Sequence, residues 1–114
     1  VDFKLETKEV KSVPILKLQG EMDVYTAPRV RSRIVDLVDQ GKHNIVVDLQ
    51  KVDFLDSSGL GVLVGGLKRV KPHKGSIVLI INEEKILKIF KITGLTKVFP
   101  IFDTEKKALA SVTD

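Results

Sequence analysis

With 114 residues, the chain has the length of one domain, enough for a single hydrophobic core and too short for two. Hydrophobic residues at 43% and charged residues at 30% are globular proportions that exclude a disordered chain, and the lack of cysteine excludes disulfides, thiolate catalysis and cysteine-ligated metal. The formal charge of +4 comes from cations interleaved with 15 acidic residues; with a single Tyr and no Trp to stack on bases, this pattern does not suit nucleic acid.

Along the chain, Phe3, Leu5 and Thr7 alternate with Lys4, Glu6 and Lys8, which predicts a half-buried strand. Glu9 to Ser12 reads as a turn and Val13 to Gln19 as a second strand antiparallel to the first, with Pro14 near its start and Gly20 at its end. Thr26-Ala27-Pro28 opens a helix, with Thr26 as its cap, an apolar face of Val30, Ile34, Leu37 and Val38, and Gly41 as its stop. The short β-branched run Ile45-Val46-Val47 predicts a strand covered on both faces. Asp56 to Lys71 reads as a second helix facing inward with Leu60, Leu63, Val64 and Leu67, where Gly61 and Gly65 allow close approach to a sheet. Ile77 to Ile81 is another buried strand. A third helix then follows, capped by Asn82, turning Ile86, Ile89 and Phe90 inward, pairing Glu84 with Lys88 and ending at a left-handed Gly94 with Leu95 folded onto Phe90. A short strand from Val98 to Ile101 and a helix from about Asp103 complete the chain.

The resulting order, β-β-α-β-α-β-α-β-α, predicts one α/β domain over residues 1–114. Its mixed sheet has four or five strands, mostly parallel with the first antiparallel, and carries about four helices. The apolar runs fall short of the ~20 residues a bilayer span needs, and no charged segment followed by an apolar one opens the sequence. A cytoplasmic location away from membranes is the expectation.

The densest unusual segment is Asp53-Phe54-Leu55-Asp56-Ser57-Ser58-Gly59-Leu60-Gly61, between a buried strand and a helix, where α/β proteins place their sites. There Asp56 or Ser57 can cap the helix, and a hydroxyl meets free N–H groups and the positive end of the helix dipole. Catalytic patterns fail one by one. A nucleophile elbow needs glycine at position 55, which is Leu; Gly65-Gly66 is followed by Leu67 rather than Lys; Gly59, Gly61 and Gly65 miss the dinucleotide spacing by one residue. His43 and His73 lie in separate loop-like segments, so no metal site and no serine–histidine pair is expected, and no cofactor.

Phe54-Leu55-Asp56-Ser57-Ser58-Gly59-Leu60-Gly61-Val62 resembles the signature of the STAS-domain anti-sigma factor antagonists. Gly20 to Pro28 is similar to that family's strand-to-helix turn, and Ile89 to Leu95 to its downstream motif, so the likeness spans nearly the whole chain. The resemblance implies a STAS fold and a binding protein rather than an enzyme. In its unphosphorylated form such a protein binds an anti-sigma factor, itself an ATP-using serine kinase, and so releases sigma factor. It also implies phosphorylation at Ser57, with Ser58 the second candidate, and a serine phosphatase that reverses it. The surface it implies for the partner comprises Asp23, Tyr25, Thr26, Asp56, Ser57, Ser58, Gly59 and Leu60. Rival readings are a STAS module of another signalling complex or an anion transporter, or a small nucleotide-binding protein.

Overall fold

A tight hairpin starts the chain. The computed structural model describes residues 2–113. Strands β1 (Lys4–Val10) and β2 (Val13–Met22) pair antiparallel with Val10 opposite Val13, so the turn is Lys11–Ser12 alone and not the whole of Glu9 to Ser12. Both turn residues take positive φ, 53° and 67°, the handedness that suits the twist of hairpin strands. Gly20 does not end β2 as its residue type suggests. It sits inside the strand at φ 106°, beside a register shift, and a Cβ there would lie 2.8 Å from the Asp2 carbonyl oxygen. Here glycine serves a bulge and a close approach of two backbones.

The other elements follow in the expected order: α1 (Ala27–Asp39), β3 (Asn44–Leu55), α2 (Ser57–Val70), β4 (Ser76–Ile80), α3 (Glu84–Ile92), β5 (Ile101–Phe102) and α4 (Glu105–Ala110). The five strands lie in the sheet in chain order, antiparallel between β1 and β2 and parallel from β2 to β5. Inward residues of α1 (Val30, Ile34, Leu37), α2 (Leu63, Val70) and α3 (Ile86, Phe90) form one core with Leu16, Leu18, Ile45, Val47, Leu49, Ile77 and Leu79 of the sheet. A smaller cluster under α4 buries Ile15, Val46, Val78 and Ile80 against Ala108 on the other face. Strands apolar on both faces explain the β-branched runs of β3 and β4.

Several local expectations are corrected. β3 spans 12 residues, extending the short run at Ile45 as far as Leu55, because its far half keeps pairing with β2 after β4 has ended. The buried stripe of α2 is Gly59, Leu63, Gly66 and Val70, with Leu60, Val64 and Leu67 only half-buried beside it. Accordingly Gly59 and Gly66, not Gly61 and Gly65, give the close approach. A Cβ at Gly59 would lie 2.5 Å from Leu55 Cδ1 and 2.9 Å from the Met22 carbonyl oxygen, one at Gly66 3.3 Å from Ile34 Cγ2, whereas one at Gly61 or Gly65 meets nothing within 4 Å.

Asn82 caps no helix; its amide donates at 2.9 Å to both Gln50 Oε1 and the Asp103 carbonyl, tying β3 to the start of α4. Glu84 pairs with Lys91 rather than Lys88, at 3.6 Å. Gly94 does take the left-handed conformation, at φ 75°. The last strand is Ile101–Phe102, since Val98 is exposed and Phe99 is drawn into the core edge-on to Phe90, and the final helix starts at Glu105 behind a Thr104 cap. His43 and His73 stand apart in sequence, yet their rings stack with centroids 3.8 Å apart.

Candidate modification and protein-binding site

The site begins where β2 and β3 end together. Met22 lies opposite Leu55, and the Asp56 N–H donates to the Met22 carbonyl at 3.3 Å. Asp56 is in extended conformation, so its carboxylate Oδ1 turns back to accept the N–H groups of Ser58 at 2.9 Å and Gly59 at 3.2 Å. This decides the capping question in favour of Asp56. Ser57, the first residue of α2, is exposed, and its hydroxyl takes no part in those helix-start bonds. Gly59 lets the first turn of α2 sit directly on the end of β2, since any side chain there would strike the Met22 backbone. Asp56→Ala should therefore lower stability by about 1 kcal/mol, the usual worth of such a cap, seen as a lower urea midpoint with unchanged slope. An unchanged midpoint would show that the cap does not anchor this helix.

The second limb is the turn that leaves β2. Thr26 occupies the cap position of α1 but makes no capping bond with its side chain. Its hydroxyl instead donates to the Glu21 carbonyl at 2.7 Å and accepts the Asp23 N–H at 2.9 Å. Asp23 braces the turn just before the helix: its Oδ1 accepts the N–H groups of Tyr25 at 2.9 Å and Thr26 at 3.1 Å. With its ends held this way, the turn presents Tyr25, 86% exposed, and Val24, 59% exposed, to solvent.

Thus Asp23, Tyr25 and Thr26 stand at the same end of the sheet as Asp56, Ser57 and Ser58. Gly59, expected to touch a partner, is buried and acts by seating α2; Leu60 is half-buried against the core. Two residues outside the expected surface join it, Val24 and Phe54, the latter 44% exposed. Phe54 carried no signal of exposure in the sequence: two residues beyond the buried Val52, it stands where period-2 alternation predicts an inward side chain. Apolar side chains held out to water beside a polar cluster have the composition of a protein-binding surface.

Comparison with known proteins gives the family. Residues 4–108 match the sequence profile of the STAS domain. The chain belongs to the STAS domain family. It is 38% identical over 101 residues to an anti-sigma-B factor antagonist of Bacillus subtilis, covering 89% of this chain and 88% of that one. It is also similar in structure to an anti-sigma factor antagonist from Mycobacterium paratuberculosis, with a TM-score of 0.91 at 27% identity over 99% of this chain and 96% of the other. The STAS domain further resembles the Bacillus cell fate determinant SpoIIAA in its phosphorylated form, with a TM-score of 0.75 at 26% identity, covering 98% of this chain and 100% of that one. Among the described residues of this STAS domain no helix is long and apolar enough to cross a membrane, and no group of three or more His, Cys, Asp or Glu could hold a metal ion.

Proposed function

We propose that this STAS domain is an anti-sigma factor antagonist: unphosphorylated, it binds an anti-sigma factor that is an ATP-using serine kinase and so frees sigma factor for transcription. Phosphorylation of Ser57 ends that binding, and a serine phosphatase restores it. The observation that carries this reading is the division of labour at the start of α2, where Asp56 takes the capping bonds and leaves the exposed Ser57 hydroxyl for other chemistry. The protein is then a substrate and a binding partner, not a catalyst, and works in the cytoplasm without contacting nucleic acid or membrane.

In the transfer step Ser57 Oγ attacks the γ-phosphorus of ATP, its proton passes to a base of the kinase, and ADP leaves. The product places about −1.5 to −2 charges at a helix N-terminus, where the dipole favours them by ~0.3–1 kcal/mol, so the domain tolerates the modification without refolding. Incubation with the cognate kinase and ATP should add one phosphate, lost in Ser57→Ala and retained in Ser58→Ala. Phosphate that persists in Ser57→Ala and disappears in Ser58→Ala would move the acceptor to Ser58.

A further inference from the structure

Between α1 and α2 runs a groove of about 470 Å³, with Ser58 among the residues that line it. Its lining includes Arg31 of α1 and Lys68 and Arg69 of α2, and no acidic residue. None of these three cations enters a salt bridge among the described residues. Gly61 and Gly65 also line the groove, and added side chains there would meet nothing within 4 Å. Glycine inside a helix weakens it relative to alanine, and packing within the chain explains Gly59 and Gly66 but not these two. Their smallness opens the groove to something outside the fold.

From the Ser58-Gly59 turn to Lys68 and Arg69 the helix rises about 15 Å, too far for one small anion to span. An occupant therefore has to be extended, with negative groups toward Arg31, Lys68 and Arg69 and backbone or small apolar groups over the glycines and Ile34. Because Ser58 lines the groove and adjoins Ser57, a partner held at the Ser57 site can reach into the groove. We propose that the groove seats an acidic segment of the anti-sigma partner, whose carboxylates pair with Arg31, Lys68 and Arg69. This rests on the antagonist reading above and adds the chemistry of the partner's second contact.

Calorimetric titration of the full chain with its cognate anti-sigma factor tests the idea, using Arg31→Glu, the double variant Lys68→Glu/Arg69→Glu, and Gly65→Leu. Each should bind at least tenfold more weakly than wild type, and the two charge reversals should flatten the loss of affinity with added salt. Circular dichroism and urea melting serve as folding controls, and Arg31→Gln replaces the reversal if that variant unfolds. If the groove variants bind like wild type while Ser57→Asp still weakens binding, the groove proposal is overturned and the antagonist reading stands. Wild-type protein that fails to bind at all removes both. Titration with ATP alone is the remaining arm: nucleotide affinity lost in Arg31→Glu, with anti-sigma binding intact, would assign the groove to a phosphate ligand instead.

Discussion

Ser57→Asp is expected to leave the fold intact and to weaken binding of the anti-sigma factor at least tenfold. The fold survives because position 57 is exposed at the first residue of α2 and an acidic side chain there is favoured by the helix dipole. Binding suffers because a kinase that phosphorylates Ser57 must bring nucleotide phosphates up to it. A like charge within ~5 Å at an effective dielectric of ~20 costs on the order of 3 kcal/mol per unit pair; half of that, after solvent screening, is already tenfold. The carboxylates of Asp23 and Asp56 add negative charge at this corner and are committed to their own turns. Ser57→Ala should bind nearly as wild type, since one exposed hydroxyl contact is worth ~1 kcal/mol or less. Calorimetry on both variants decides the cause: a Ser57→Ala as defective as Ser57→Asp would make the hydroxyl itself the contact and remove repulsion as the switch.

Tyr25→Ala is expected to weaken the same complex about thirtyfold, the roughly 2 kcal/mol of an aromatic hot spot, with no loss of stability. A side chain 86% exposed contributes little to the fold, and the turn beneath it is held by Asp23 and Thr26 through bonds that Tyr25 joins only with its backbone N–H. Surface plasmon resonance against the anti-sigma factor, with thermal melting in parallel, separates the two effects. Wild-type affinity in Tyr25→Ala would place the interface elsewhere; a lowered melting temperature would show a structural role that its exposure does not suggest.

The pattern of elements was legible in the sequence because strands buried on both faces and helices with one apolar stripe leave strong periodic marks. What escaped were interactions between residues far apart in the chain. The continuation of β3 to Leu55 depends on β2 lying beside it, and nothing in Lys51 to Phe54 has the apolar density of Ile45 to Val47. Four glycines in α2 look alike in sequence, and only the positions of Met22, Leu55 and Ile34 show that Gly59 and Gly66 face the core while Gly61 and Gly65 face outward. Asn82 and Thr26 have the residue types of helix caps, but better partners drew their side chains away: Gln50 and Asp103 for one, Glu21 and Asp23 for the other.

At the candidate site, the sequence motif marked Ser57 and Asp56 and left open which of them caps the helix. The three-dimensional arrangement gives that task to Asp56 and gathers Val24, Tyr25 and Phe54 at the same end of the sheet. Val24 and Phe54 were missed because an apolar residue in a strand or turn reads as core until its surroundings are known.

The affinity of the anti-sigma factor for the full chain before and after stoichiometric phosphorylation bears most directly on Ser57 as the switch. With about two charges added instead of one, phosphorylation should weaken binding roughly a hundredfold, and treatment with a serine phosphatase should restore it. Equal affinity of the two forms, with the phosphate mapped to Ser57, would contradict phosphorylation as the control of this complex.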